Sequence, residues 1–425
     1  MAETIDPASV LGSIASLLRP ELAELAAYAP HDPGGIEVKL DANEAPSCPA
    51  AVRETVARAL ASVSLERYPD PRALRLKEAI AKRTGARVSD LLVGTGSDEV
   101  IGLVVNALAQ PRRRNTQAIV LTPTPTFVMY RATARSHGAK PVEVPLDTEW
   151  DLDVPMMRRA LQIMEPSIVF IASPNNPTGN AMSRDRVEKV LEHALSVGGL
   201  SALGGGGAGN ALAAAMQASQ ARAGSDGGST TMVSPRSKPE EAPQRDAAFT
   251  IVDEAYVDYA GKDASVRDLR AKYPHLGILR TVSKIGLAAL RIGWLEADAS
   301  LVAEIEKTRQ PFNTSATSQA AVAAVLEEAW DEVQAGVARV VESRELLADG
   351  IRGLPGFSVT QSASNFLWVK TPVPAERVFD HLVRDKILVR SFHKSGGRLA
   401  SQLRITVGTD SEHARLLASL STVGR

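Results

Sequence analysis

A single cysteine, Cys48, stands among 425 residues. One thiol closes no intramolecular disulfide and builds no cysteine-based zinc cluster, so no metal centre is expected and a reducing cytoplasm suits the chain. An excess of charge of one sign is also missing, since 48 Lys and Arg stand against 49 Asp and Glu. Without a global field to attract nucleic acid or an anionic membrane, binding has to be local, to small molecules or protein. No run approaches the roughly 18 uninterrupted apolar residues of a membrane span. The opening "MAETIDPASVLGSIASLLRPELAEL" has no basic start and is broken by Ser, Pro and Glu. It is expected to form a soluble amphipathic helix and not a leader.

What is present is a length beyond that at which one core stops growing, so two domains are expected. From about Ala50 to Trp294, helical patterns alternate with short β-branched runs such as "LLVGTG", "AIVLTPTPT", "SIVFIASP", "FTIVDEAY" and "GILRTVS". That rhythm predicts an α/β fold with a large, mostly parallel mixed sheet, whose sites gather at the carboxyl ends of the strands. After "RQPFNTSATSQ" a long helical stretch runs to about Gly353, followed by strands and helices of a smaller α+β unit. The expected division is a large domain over 48–310 and a small one from 1–47 plus 311–425. Residues 198–247 interrupt the rhythm with Gly, Ala, Ser and Pro and too few large apolar groups to offset ordering entropy. They read as a mostly disordered surface insertion in a loop, with at most a weak helix near Ala211 to Arg222.

Four stretches near strand ends carry candidate chemistry. "GTGSDE" (94–99) opens a helix, so the amides around Gly96, Ser97 and Asp98 form either an ordinary N-cap turn or a phosphate cup. A dinucleotide loop fits less well, because Glu99 occupies the third glycine's place. "SPNNPTG" (173–179) is turn chemistry that also offers the Asn176 amide as a donor. "IVDEAYVDY" ends an apolar strand on Asp253, with Tyr256 three residues on. "RTVSKIGLAALRIGW" (280–294) sets Ser283 and Lys284 among small and apolar neighbours, with Arg291 seven residues beyond the lysine. A lysine in a pocket of low polarity can form a Schiff base with an aldehyde. Pyridoxal phosphate needs such a lysine, an acid beside its ring nitrogen and a phosphate cup, and these motifs supply all three.

Together with "KLDANEAPSCP", "RYPDP", "TPTFVMY", "NFLWVK" and "LRITVGT", these residues resemble the fold type I pyridoxal-phosphate aminotransferases. Within them the resemblance is closest to the histidinol-phosphate aminotransferases of the class II branch. It covers nearly the whole chain and implies a transaminase of histidine biosynthesis. The reaction implied moves an amino group between L-histidinol phosphate and 2-oxoglutarate, giving imidazole acetol phosphate and L-glutamate. Lys284 would hold the cofactor as a Schiff base and serve as the base. Asp253 would pair with the ring nitrogen, and Asn176 and Tyr256 with the ring's phenolic oxygen. Ser97, Asp98, Ser283 and Arg291 would cup the phosphate at the Gly96 loop. Phe127 would stack on the ring, keeping the face of the family's usual tyrosine without its hydroxyl. Tyr68 would reach the cofactor of a neighbouring subunit, implying a homodimer with shared sites. Arg404 would grip the substrate's acidic group, with Arg390 a second phosphate contact and Asn176 close by. Alternatives within the fold are a broad aromatic aminotransferase or a phosphothreonine decarboxylase. Outside that class stands a non-catalytic regulator that kept the pocket, against which the absence of any appended DNA-reading head speaks.

Overall fold

A computed structural model describes Leu17 and residues 33–112, 116–197 and 247–423. The N-terminal amphipathic helix and the insertion, including the weak helix near 211–222, lie outside the described residues.

Two sheets organise the chain. The larger has seven strands in the order β2-β8-β7-β6-β5-β3-β4. These are β2 (Leu91–Thr95), β3 (Ile119–Thr124), β4 (Lys140–Pro145), β5 (Ile168–Ala172), β6 (Phe249–Asp253), β7 (Leu276–Thr281) and β8 (Ile292–Glu296). Strands β3 to β7 pair in parallel. Strand β8 runs antiparallel to both β2 and β7. Every residue of β5, β6 and β8 is buried, as a strand covered on both faces requires. The "RIGW" stretch, read in sequence only as the tail of the lysine motif, supplies β8 and makes the sheet mixed.

Helices α1 (Ala50–Ala61), α2 (Leu74–Thr84), α3 (Gly96–Leu108), α4 (Val128–Ser136), α5 (Val154–Met164), α6 (Arg184–Ala194) and α7 (Ala299–Glu306) accompany this sheet. The long helical stretch is two helices, α8 (Ala316–Glu328) and α9 (Trp330–Arg352), broken at Ala329. Val322, Val325 and Leu326 of α8 share a cluster with Leu91, Ile292 and Trp294, so this helix packs on the large sheet although it follows residue 311. Helix α9 spans both units: Val333, Val337 and Val340 join that cluster, while Leu347, Ala348 and Ile351 join the core of the second.

The second sheet has the order β1-β11-β12-β10-β9. Its strands are β1 (Val38–Leu40), β9 (Ser358–Thr360), β10 (Phe366–Lys370), β11 (Ile387–Ser391) and β12 (Gln402–Thr406), flanked by α10 (Ala375–Arg384) and α11 (Asp410–Leu420). The N-terminal region donates β1 as an edge strand parallel to β11. Helix α10 buries Ala375, Val378 and Leu382, an amphipathic stripe at helical spacing. Helix α11 opens on a capping box between Thr409 and Glu412.

Candidate active site

A cavity of about 520 Å³ lies between the carboxyl ends of β2, β5, β6 and β7 and one face of the second sheet. Ser97, Asp98, Phe127, Asn176, Asp253, Tyr256, Ser283, Lys284, Arg291, Arg390 and Arg404 all line it. Eleven residues picked from separate stretches of sequence therefore converge on one space.

Asp253 ends β6 at the floor of the cavity, 5% exposed. Its Oδ1 accepts the Ala255 amide at 3.0 Å. Its Oδ2 accepts the Tyr130 hydroxyl at 2.6 Å. Burial pushes the carboxyl up to about 6, against the opposing pull of these hydrogen bonds. No cation lies within 4.0 Å of it among the described residues, so a buried acid faces the cavity without its counter-charge.

Lys284 follows β7 in an irregular turn, half-buried, with its Nζ 5.7 Å from the centre of the Tyr256 ring. The Tyr259 hydroxyl donates to the Lys284 carbonyl at 2.6 Å, which fixes the turn from below. Tyr256 itself packs edge-on against Phe366 of β10, 5.2 Å between centres. Its hydroxyl accepts the Asn43 amide at 2.9 Å. Asn176 Oδ1 accepts a hydrogen bond from the Arg404 guanidinium at 2.7 Å, so its Nδ2 remains as a donor. The same guanidinium donates to the Asp41 carbonyl.

The end of β2 and the start of α3 form a tight anion cradle. The first-turn amides of Ser97 and Asp98 have no acceptor within the helix. Gly96 has φ +76°, and a Cβ there would stand 2.5 Å from the Arg291 Nη2. Arg291 reaches the Ser283 hydroxyl at 3.4 Å and Asp98 at 3.7 Å. The Thr281 hydroxyl braces Ser283, accepting its amide at 3.1 Å. Three donors of different kinds thus surround one spot: helix amides, a hydroxyl and a guanidinium. This suits a phosphate group.

Gly96 sits beneath Arg291 and serves the cradle by backbone alone. Phe127 lies at the cavity's edge, edge-on to Tyr130 at 5.6 Å. Tyr68 does not join the other residues within this chain. It is 82% exposed and stacks on Phe312 at 4.8 Å. Sequence reasoning gave no role to Tyr130, Asn43 or Thr281, although all three stand inside or beside quoted motifs. Their signal was a hydroxyl or amide in an otherwise functional run, and only the fold shows what each one holds.

Residues 36–200 and 238–420 match the family described as aminotransferase class I and II. The chain belongs to that family. Among individual relatives, histidinol-phosphate aminotransferase 1 of Burkholderia mallei is 33% identical over 406 residues, covering 95% of this chain and 97% of that protein. Of solved structures, the histidinol-phosphate aminotransferase of Sinorhizobium meliloti, in complex with pyridoxal-5'-phosphate, superposes with a TM-score of 0.73 at 22% identity, covering 96% and 97% of the two chains. The aromatic aminotransferase of Pyrococcus horikoshii gives 0.71 at 18% identity, covering 95% and 97%.

Proposed function

We propose that this protein moves an amino group between L-histidinol phosphate and 2-oxoglutarate, with pyridoxal 5'-phosphate as cofactor, as a step of histidine biosynthesis. The observation that carries the reading is the convergence of Lys284, Asp253 and the Gly96–Arg291 cradle on one cavity, with Arg390 and Arg404 facing them from the second sheet. The residues fit the cofactor on their own terms. Asp253 is a buried acid short of a cation, and the cradle gathers anion donors where a side chain at residue 96 would collide.

When bound, the cofactor supplies an aldehyde that takes up the amino group and a ring that accepts electrons from the substrate carbon. The chain's own groups do the rest. Lys284 Nζ anchors the cofactor and then carries the proton to and from the substrate carbon that bears the nitrogen. Asp253 holds a positive charge on the ring nitrogen, and Tyr130 keeps that carboxylate in place. Asn176 Nδ2 and the Tyr256 hydroxyl serve the ring oxygen, each oriented by a partner, Arg404 and Asn43 respectively. Ser97, Asp98, Ser283 and Arg291 hold the cofactor phosphate, and Phe127 covers the ring. Arg404 and Arg390 take the acidic group of the substrate.

The same reading makes the enzyme a cytoplasmic homodimer in which Tyr68 completes the partner's phosphate site, and it divides the chain into a cofactor-binding unit over 48–310 and a smaller one from 1–47 plus 311–425, with α8 of the latter packed back on the large sheet. An exposed Tyr68 beside exposed Leu65 and Phe312 supports the shared site.

Titrating the purified holoenzyme with histidinol phosphate, histidinol, phenylalanine and glutamate tests the substrate. Histidinol phosphate and glutamate should bleach the cofactor's visible band far better than the other two, and Lys284→Ala should show no turnover. Equal bleaching by phenylalanine, without dependence on the phosphate, would leave the chemistry standing and remove the pathway.

A further inference from the structure

The helix that opens the anion cradle starts without an ordinary cap. Thr95 stands at its N-cap, where a threonine hydroxyl commonly accepts the amide two or three residues on. Those amides belong to Ser97 and Asp98, the two that the cradle needs. Thr95 makes no such bond. Its hydroxyl donates instead to the Asn313 carbonyl at 2.8 Å. Glu99, in the first turn, is a second acceptor within reach, since a carboxylate at a helix start is drawn to the free amides and to the positive end of the dipole. It too is turned away. Its Oε2 accepts the Thr95 amide and, at 2.9 Å, the Asn313 Nδ2. The folded-back carboxylate packs against Gly94, where a Cβ would stand 3.1 Å from that oxygen. The remaining acid of the turn, Asp98, faces Arg291.

One residue from a distant part of the chain holds both groups. Asn313 lies between α7 and α8, and the Arg309 guanidinium donates to its Oδ1 at 2.7 Å. Arg309 is itself fixed to the Pro71 carbonyl at 2.8 Å and to Glu306 at 2.6 Å. With that oxygen occupied by a donor, the Asn313 amide can turn only its Nδ2 toward Glu99, so its orientation is set. The same Nδ2 reaches the Val93 carbonyl of β2 at 3.4 Å. Asn313 thus grips the end of β2, the N-cap and the first helical turn together.

We infer that Asn313 is a positioning residue for the cofactor phosphate: it holds Thr95 and Glu99 off the Ser97 and Asp98 amides, so that the helix start stays open to an anion from outside. The inference rests on the cradle reading proposed above and adds the group that keeps the cradle open. Without Asn313 the helix would cap itself, and the phosphate would have to displace an internal acceptor before it could bind.

The test compares pyridoxal 5'-phosphate with pyridoxal, which has the same ring and aldehyde without the phosphate. Both are titrated into the cofactor-free full-length chain and into Asn313→Ala, with visible absorbance reporting each affinity. Asn313→Ala should lower the preference for the phosphorylated form about tenfold, the scale of one hydrogen bond to a charged group, and leave pyridoxal unchanged. Adding Thr95→Val or Glu99→Met removes a competing acceptor, and at least one of these second changes should restore much of the preference. An unchanged preference in Asn313→Ala overturns the inference. So does an equal loss for both forms, which marks a structural role, and so does recovery by neither second change, which shows that nothing competes for the amides. Wild-type chain that binds the two forms alike would remove the cradle itself and the inference with it, whereas the other failures leave the cradle standing. If Asn313→Ala loses its fold by circular dichroism, Asn313→Leu keeps the volume without the hydrogen bonds and gives the same readouts.

Discussion

Asp253 ties the chemistry of the pocket to the stability of the protein. Burial raises its carboxyl from 3.8 in the unfolded chain to about 6 in the fold. The folded state therefore holds this proton more tightly than the unfolded one. Its contribution is most favourable below about pH 4 and is lost as pH rises through about 6, a difference on the order of 3 kcal/mol. Cofactor-free protein should accordingly lose melting temperature across that window relative to Asp253→Asn, which has no such proton to lose. Calorimetry of the two apo proteins from pH 4 to 7 measures the difference, and parallel curves would show that Asp253 ionises without cost. A cationic ring nitrogen beside the carboxylate favours its charged form, so the loss should shrink in the holoenzyme. Much of this was legible in sequence, because an aspartate ending the largely apolar "FTIV" run has to sit where a strand leaves the core. Tyr130 was not, since its hydroxyl meets Asp253 across 123 positions of chain, and Asn43 meets Tyr256 across 213. No local pattern encodes such a pair.

At the scale of elements, the phosphate cradle depends on how closely β8 approaches the start of α3. Gly293 of β8 pairs with Gly94 of β2. A Cβ on Gly293 would fall 2.5 Å from the Ser97 nitrogen and 2.6 Å from the Gly96 carbonyl carbon. Both are backbone atoms of the cradle, and neither can swing aside as a flexible side chain would. Gly293→Ala should therefore push the Ser97 amide out of place and weaken cofactor binding on the order of tenfold or more, the usual scale of a forced backbone shift. Equilibrium dialysis against the cofactor checks this, with far-ultraviolet circular dichroism to confirm the fold; unchanged affinity would mean that the loop yields without consequence. Strand β8 is also where sequence reading fell short. Its glycine and its place directly after the lysine motif masked a strand whose burial comes from β2 and β7 on either side. The buried strands β5, β6 and β7 were plain because their apolar runs are self-evident. The edge strand β1 was hidden, since three residues show no periodicity until β11 pairs with them. The break between α8 and α9 at Ala329 likewise lacks a proline or glycine to announce it.

For the whole molecule, the single chain leaves one of its cofactor-site candidates unused. Leu65 and Tyr68 are more than four-fifths exposed, and Phe312, at 40%, stacks on the tyrosine. A cluster of large apolar groups on a surface costs free energy unless something covers it. A second copy of the chain would cover it, and a two-fold axis would let each Tyr68 enter the other subunit's cavity. The arrangement makes a sharp prediction. On the proposed assignment, Lys284→Ala chains lack the base but retain Tyr68, whereas Tyr68→Ala chains retain the base but should weaken the partner's phosphate site. In a mixed dimer one site carries both defects and the other carries neither. Mixing the two inactive or impaired proteins under conditions of subunit exchange should therefore restore turnover above the sum of the separate preparations. If each site were complete within one chain, every site in the mixture would keep one defect, and no gain would appear however long exchange proceeds. Light scattering on the same samples establishes that dimers are present, so an absence of gain counts against sharing and not against assembly.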